Sequence, residues 1–170
     1  MLALGDALAM SVMKLRNFTA EDFAVFHPAG QIGRKLIRVN EAMTFRRGEN
    51  LPIASDDLTV GEVLGAVSRI KRRSGGGVPG DSAGRLSGVF SDGGLRRLVE
   101  RGPAAAMRTP VADVMTRNPK HIPADALAGE AMAVMRQHRI DELPVIDQDR
   151  QPVGLIDVQD LVVLKMLDVT

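Results

Sequence analysis

The chain has no cysteine, no tryptophan and no tyrosine, and only five phenylalanines among its 170 residues. Without cysteine there is no disulfide, no thiolate metal site and no cysteine nucleophile, and the composition fits a reducing compartment. So few aromatic rings leave little for the base-stacking platforms that single-strand nucleic-acid binders use. A surplus of charge is missing too: Lys+Arg 22 against Asp+Glu 21 gives a net charge of +1, too small for a binder that relies on many phosphate contacts. Nucleic acid is therefore not an expected partner. No apolar run approaches the roughly 18 residues of a membrane-spanning helix. Asp6 interrupts the apolar N-terminus, no basic residue precedes it as in a secretion signal, and Lys165 breaks Leu161 to Leu167. These features point to a soluble cytoplasmic protein with no membrane partner. Met1 runs straight into a helical pattern with no leading segment, so it need not be a natural start.

What the chain does contain is one pattern written twice. Gly88-Val89-Phe90-Ser91-Asp92-Gly93-Gly94-Leu95 is echoed 66 residues later by Gly154-Leu155-Ile156-Asp157-Val158-Gln159-Asp160-Leu161. Upstream, Glu41-Ala42-Met43-Thr44 is echoed by Asp113-Val114-Met115-Thr116, and Asp57-Leu58-Thr59-Val60-Gly61-Glu62 by Asp125-Ala126-Leu127-Ala128-Gly129-Glu130. Each copy closes on a glycine-led turn from strand to helix. A duplicated unit of this kind places a cleft between its copies, the natural seat of a ligand.

Residues 1 to about 38 stand outside the repeat. Leu4, Ala7, Leu8, Val12 and Leu15 have the spacing of a helix with one buried face, ending at Asn17-Phe18. Thr19 to Asp22 reads as the cap of a short second helix that stops at His27-Pro28. Copy one, about 39 to 103, carries the capping box Thr59-Val60-Gly61-Glu62 ahead of a helix with Val60, Val63, Leu64, Val67 and Ile70 on one face. Arg69 and Lys71 to Arg73 complement the carbonyl end of that helix. Ser74 to Asp81 is poor strand material, so a mobile or distorted edge is expected there. Gly75-Gly76-Gly77 lacks the Lys-Ser/Thr of a phosphate loop and reads as a flexible connector. Leu86 to Phe90 is a strand and Leu95 to Arg101 a helix. In copy two, about 110 to 170, the elements are a helical turn at 111–115, a strand at 120–122, a helix at 126–137, strands at 143–147 and 153–156 and a closing helix at 159–167. The order strand, helix, strand, strand, helix recurs in both copies, which predicts an α/β fold with a small mixed sheet in each.

Laid out in this way, Asp113-Val114-Met115-Thr116, Asn118-Pro119, Leu143-Pro144-Val145-Ile146-Asp147 and Gly154-Leu155-Ile156 followed by Asp160-Leu161 resemble a CBS domain, and the whole repeat a tandem CBS pair. Phe26-His27-Pro28-Ala29-Gly30-Gln31-Ile32-Gly33-Arg34-Lys35-Leu36 ahead of that pair is similar to the arabinose-5-phosphate isomerase family. Those enzymes join a sugar-isomerase (SIS) domain to a C-terminal CBS pair and make the precursor of the lipopolysaccharide sugar Kdo. The resemblance implies that residues 1–38 are the helical end of a SIS domain, 39–103 the first CBS domain and 110–170 the second. Of the family's catalytic residues only His27 has a counterpart here, so no isomerase activity is expected of this chain alone.

The resemblance also implies a ligand in the cleft between copies, with a Ser or Thr in each closing turn for phosphate and an Asp three residues later for the ribose hydroxyls. Copy one has Ser91 but Gly94 where the Asp is expected; copy two has Asp160 but Asp157 where the hydroxyl is expected. The alternative for Asp157 and Asp160 is helix N-capping. Ser91, Asp92, Arg96, Arg97, Thr116, His121, Asp157 and Asp160 are the candidate ligand-binding residues, with Arg96, Arg97 and His121 also consistent with plain surface positions. His121 and His138 lack a third partner at ligand spacing, so no metal site is expected. No cofactor is expected either, beyond a regulatory nucleotide of AMP or ATP type or the nucleotide-sugar CMP-Kdo. The partners implied are a second copy in a CBS homodimer and the catalytic domain of a parent isomerase. Two alternatives remain: an oligomerisation module with decayed nucleotide sites, and an isomerase fragment active only when completed in trans.

Overall fold

The computed structural model describes residues 2–19, 22, 36–68, 76–100 and 102–164. The chain divides into two compact units, Met1–Ile37 and Arg38–Thr170. In the first, helix α1 spans Leu2–Leu15. Asn17, at φ 49°, ends it in a left-handed turn, and Phe18 N donates back to Met13 O at 2.9 Å, the long return bond of a Schellman cap. Thr19 caps the following turn: its hydroxyl accepts from Asp22 N at 3.2 Å while the Asp22 carboxylate accepts from Thr19 N at 2.8 Å. The expected buried face of α1 is not observed, since Leu4, Leu8 and Leu15 are 77%, 67% and 84% exposed. Among the described residues this unit offers α1 no second element to pack against, so its apolar stripe stays in water. His27 and Ile70 lie outside the described residues.

The second unit holds two four-stranded mixed sheets. Its elements in chain order are α2 (Val39–Ala42), β1 (Phe45–Arg46), β2 (Ile53–Ser55), α3 (Val60–Ser68), β3 (Gly76–Gly80), β4 (Gly88–Ser91), α4 (Asp92–Val99) and α5 (Pro103–Arg108). There follow α6 (Val111–Val114), β5 (Thr116–Arg117), β6 (Ile122–Pro123), α7 (Ala128–His138), β7 (Glu142–Ile146), β8 (Pro152–Asp157) and α8 (Val158–Val163). One sheet runs β2-β3-β4-β5 and the other β1-β8-β7-β6. Three strands of each come from one copy and the fourth from the other. The exchange is reciprocal in register: Gly88 pairs with Arg117 and Val89 with Thr116, as Gly154 pairs with Arg46 and Leu155 with Phe45. The short helices cross over in the same manner, Val39 N donating to Ala126 O at 2.9 Å and Val111 N to Leu58 O at 2.8 Å. The two copies are thus locked by a twofold-like set of backbone bonds, and neither sheet is complete without the other copy.

Side-chain packing follows this exchange. Val111 and Met115 are buried with Ala54, Val60, Val63 and Phe90 of the first copy, and Phe45 with Leu51, Val78 and Leu155. The glycines that lead the two closing strands explain why the repeat keeps its methionines. A Cβ on Gly88 would overlap Met115 Sδ, and one on Gly154 would overlap Met43 Sδ. The two pieces of the repeat that are separate in sequence are therefore in contact across the copies.

Over Gly76–Gly80 the expectation of a distorted edge is corrected, and with it the reading of Gly76 and Gly77 as part of a connector; Ser74 and Gly75 lie outside the described residues. Gly76–Gly80 forms β3, an interior strand parallel to β2 through Ile53 and Val78 and antiparallel to β4 through Gly77 and Phe90. The cause is packing. A Cβ on Gly77 would come to 3.0 Å from Val63 Cγ1, so glycine lets α3 lie close on the strand and outweighs its poor strand propensity.

The capping box at the start of α3 forms as expected. Glu62 Oε2 accepts from Thr59 N at 2.8 Å and from Thr59 Oγ1 at 2.7 Å. These bonds, the backbone one first, hold the Glu62 carboxyl below its ordinary value. A carboxylate depressed in the folded state stabilises the fold above its unfolded value, and that contribution is lost as pH falls through the folded value. Thr59→Ala is accordingly expected to lower the melting temperature by about 3 °C at neutral pH, with the difference from wild type shrinking in acid, as a pH series of thermal melts would measure. No helix among the described residues is long and apolar enough to cross a membrane.

Candidate functional site

The closing turns of the two copies occupy equivalent places but are built differently. In copy two, Asp157 caps α8, its Oδ1 accepting from Asp160 N at 2.8 Å while Asp157 N donates to Asp160 Oδ2 at 3.1 Å. Asp160 is 5% exposed and takes two further bonds from copy one, from Thr44 N at 3.2 Å and from the Thr44 hydroxyl. A buried carboxylate needs such donors, and here they tie the strand entry of one copy to the closing helix of the other. In copy one, Ser91 caps α4, its Oγ accepting from Gly94 N at 3.4 Å. Thr116 is the counterpart of Thr44, but Gly94 supplies no carboxylate and Thr116 remains exposed.

Where that tie is missing, a cleft of about 520 Å³ opens between the copies, within the usual range for small-molecule sites. Copy one lines it with Val89, Ser91, Asp92 and Gly93. Copy two contributes Thr116, Pro119 and Lys120 on the way into β6. The turn Arg139 to Glu142, with Pro144 of β7, completes the lining. Ser91, Asp92 and Thr116 are therefore brought together. His121 sits beside this group, half-buried, with Nδ1 3.0 Å from Pro119 O. Arg96 and Arg97 are exposed in the last turn of α4 and do not line the cleft, and Asp157 and Asp160 lie at the other closing turn.

Sequence reasoning missed Lys120, Arg139, Asp141 and Glu142. Arg139 had one available signal. It follows the last turn of α7 where glycine is the usual residue, and it adopts the left-handed conformation at φ 52°. A bulky residue in that region is strained, and such strain gathers where a side chain is wanted. No group of three or more His, Asp or Glu among the described residues is placed to hold a metal ion.

Residues 111–166 match the family model of the CBS domain. Arabinose 5-phosphate isomerase KdsD of Pseudomonas aeruginosa is 41% identical over 163 residues, covering 94% of this chain and 48% of that protein. The chain thus spans about half the length of the curated relatives it matches. Among solved structures, the CBS-domain protein ATU1752 of Agrobacterium tumefaciens superposes with a TM-score of 0.64 at 24% identity, over 76% of this chain and 94% of that one. The CBS domain protein PAE2072 of Pyrobaculum aerophilum, complexed with AMP, gives 0.64 at 19% identity, over 77% and 100%. Residues 111–166 are thus similar to the CBS domain, the two-sheet fold is that of CBS-domain structures, and the sequence relatives include arabinose 5-phosphate isomerases.

Proposed function

We propose that this chain is the regulatory CBS pair of a D-arabinose-5-phosphate isomerase and that a nucleotide or nucleotide-sugar occupies the cleft at Ser91, Thr116 and Lys120. The observation that carries the reading is the cleft itself, a ligand-sized opening between copies whose backbones are locked together by exchanged strands. The AMP held by a CBS protein of the same fold supports the ligand class. CMP-Kdo, the activated form of the sugar the family's pathway makes, is the specific candidate, and its binding would adjust the assembly or activity of the parent enzyme. In this reading residues 1–38 are the end of the isomerase domain, 39–103 and 110–170 the two CBS domains, and the site of action is the cytoplasm as a homodimer. His27 is the relic of a catalytic residue, and the chain alone does not turn over sugar phosphate.

Thermal melts with AMP, ATP, CMP and CMP-Kdo test this. A ligand at about ten times its dissociation constant adds about 1.4 kcal/mol to the folded state, a rise of about 3 to 6 °C for a unit of this size. Ser91→Ala paired with Lys120→Ala should abolish the rise while lowering the melting temperature of the unliganded chain by about 3 °C, the cost of the lost α4 cap. Absence of any shift at millimolar ligand would favour the second reading, a structural oligomerisation module. The commitment of Asp160 to Thr44 is the observation on its side.

A further inference from the structure

Asp92 opens α4 with a carboxylate that no hydrogen bond or ion pair among the described residues engages, and it lines the cleft between Ser91 and Gly93. The helix end is capped without it, by Ser91 Oγ accepting from Gly94 N. Position 94 looks elsewhere, since a Cβ on Gly94 would meet the Phe90 ring 3.7 Å away and Ser91 Oγ at 3.9 Å. Copy two reverses this arrangement. Its closing helix α8 opens on the apolar Val158, and the carboxylate of that turn, Asp160, is 5% exposed and held by the amides of Thr44 and Asp157. An unengaged carboxylate at the first helical position is thus peculiar to the closing turn that lines the cleft.

The surroundings of Asp92 define what it can receive. Thr116 of copy two pairs with Val89 in the β4–β5 ladder, so the Thr116 wall meets the Ser91–Asp92 turn at this end of the cleft. An ionised carboxylate only accepts, and its two oxygens lie side by side, a match for two adjacent hydroxyl donors such as the 2′- and 3′-hydroxyls of a ribose. A cationic ligand group would suit a carboxylate too, but Lys120 and Arg139 line the same cleft and would repel it. Asp141 is placed differently. It also lines a cavity of about 300 Å³ between α7 and α8, and its backbone oxygen accepts from Val158 N at 2.9 Å, which fixes it at the partition between the two spaces.

We infer that Asp92 receives the vicinal hydroxyls of the ligand's ribose and so makes the cleft select ribonucleotides over their deoxy counterparts. This rests on the ligand-binding reading above and narrows it to ligands with a free 2′,3′-diol.

Calorimetric titration of the full chain with AMP, 2′-deoxy-AMP and 2′,3′-dideoxy-AMP, and with the corresponding CMP series, tests it. Loss of the 2′-hydroxyl is expected to raise the dissociation constant about tenfold and loss of both about thirtyfold, as hydrogen bonds to a charged acceptor imply. Asp92→Ala should bring each series within about twofold by weakening the ribonucleotide while leaving the dideoxy compound unchanged, a pattern that misfolding cannot produce. Asp92→Asn keeps one acceptor oxygen and should leave a gap of about threefold. Either change should lower the melting temperature of the unliganded chain by no more than about 3 °C, the loss of a charge at the start of α4. Asp141→Asn should leave the gap as in wild type. Equal binding of ribo and dideoxy compounds by wild type, a gap that survives Asp92→Ala, or one that Asp141→Asn abolishes would overturn the inference while leaving the ligand site standing. If no member of either series binds, the ligand-binding reading fails and the inference with it.

Discussion

Gly154→Ala is expected to lower the melting temperature by about 10 °C, and Gly88→Ala by about 3 °C, although both exchanges add one methyl group at equivalent places in the repeat. The difference lies in what the new Cβ meets. At Gly88 the obstacle is the Met115 side chain, whose Sδ and Cγ can swing to another rotamer. At Gly154 the Met43 side chain is joined by the carbonyl oxygen of Phe45, 2.9 Å away, and that oxygen belongs to a strand paired through Phe45 with Leu155. It cannot retreat without opening the exchanged ladder. Met115→Ala in the Gly88→Ala background should recover part of the loss, whereas Met43→Ala in the Gly154→Ala background should recover little. Thermal melts of the four variants decide the matter, and equal costs at the two glycines would show that the β1–β8 exchange does not hold the copies together.

Asp160→Ala should cost about 3 kcal/mol, read from denaturant midpoints at unchanged slope. The substitution strands the amides of Thr44 and Asp157 and the Thr44 hydroxyl at a site that is 5% exposed. Asp160→Asn keeps one acceptor oxygen and should cost about half as much. Affinity for AMP or CMP-Kdo, if the cleft beside Ser91 is the site, should stay within about twofold in both variants, because Asp160 belongs to the opposite closing turn. A variant that folds as wild type but no longer binds would instead give Asp160 the ribose-binding role that family resemblance implies.

Much of this fold is legible in the chain because copy two is written in strong local signals. The run Leu143 to Asp147 predicts a strand within one residue of the observed Glu142–Ile146, and the periodicity of 126–137 finds α7 within two at its start and one at its end. Copy one is harder to read at Gly76–Gly80, where composition argues against a strand and only the approach of Val63 explains the glycine. The strand exchange is not legible at all. β1 and β5 are two residues each, too short for any period, and nothing in the offsets of a repeat says that Met43 lies over Gly154 or Met115 over Gly88.

The candidate site divides along the same line. Ser91, Asp92 and Thr116 are candidates because the CBS resemblance implies a ligand at the closing turn, and the structure brings these three to one cleft. Lys120, Asp141 and Glu142 are charged residues at the ends of short strands, which in sequence look like any solvated surface. Arg96 and Arg97 illustrate the converse, a basic pair that sequence proximity places beside Ser91 and the helix turns away from the cleft. The apolar stripe of α1 reads correctly as a helix, but its periodicity carries no information about what covers it.

The most direct test of the account is amide chemical-shift mapping of the isotopically labelled chain during titration with AMP and with CMP-Kdo. Saturable shifts confined to Val89–Gly93, Thr116–His121 and Arg139–Pro144, with Thr44, Asp157 and Asp160 unmoved, are the predicted result. Shifts centred on Thr44 and Asp160 with Ser91 and Thr116 silent would contradict it.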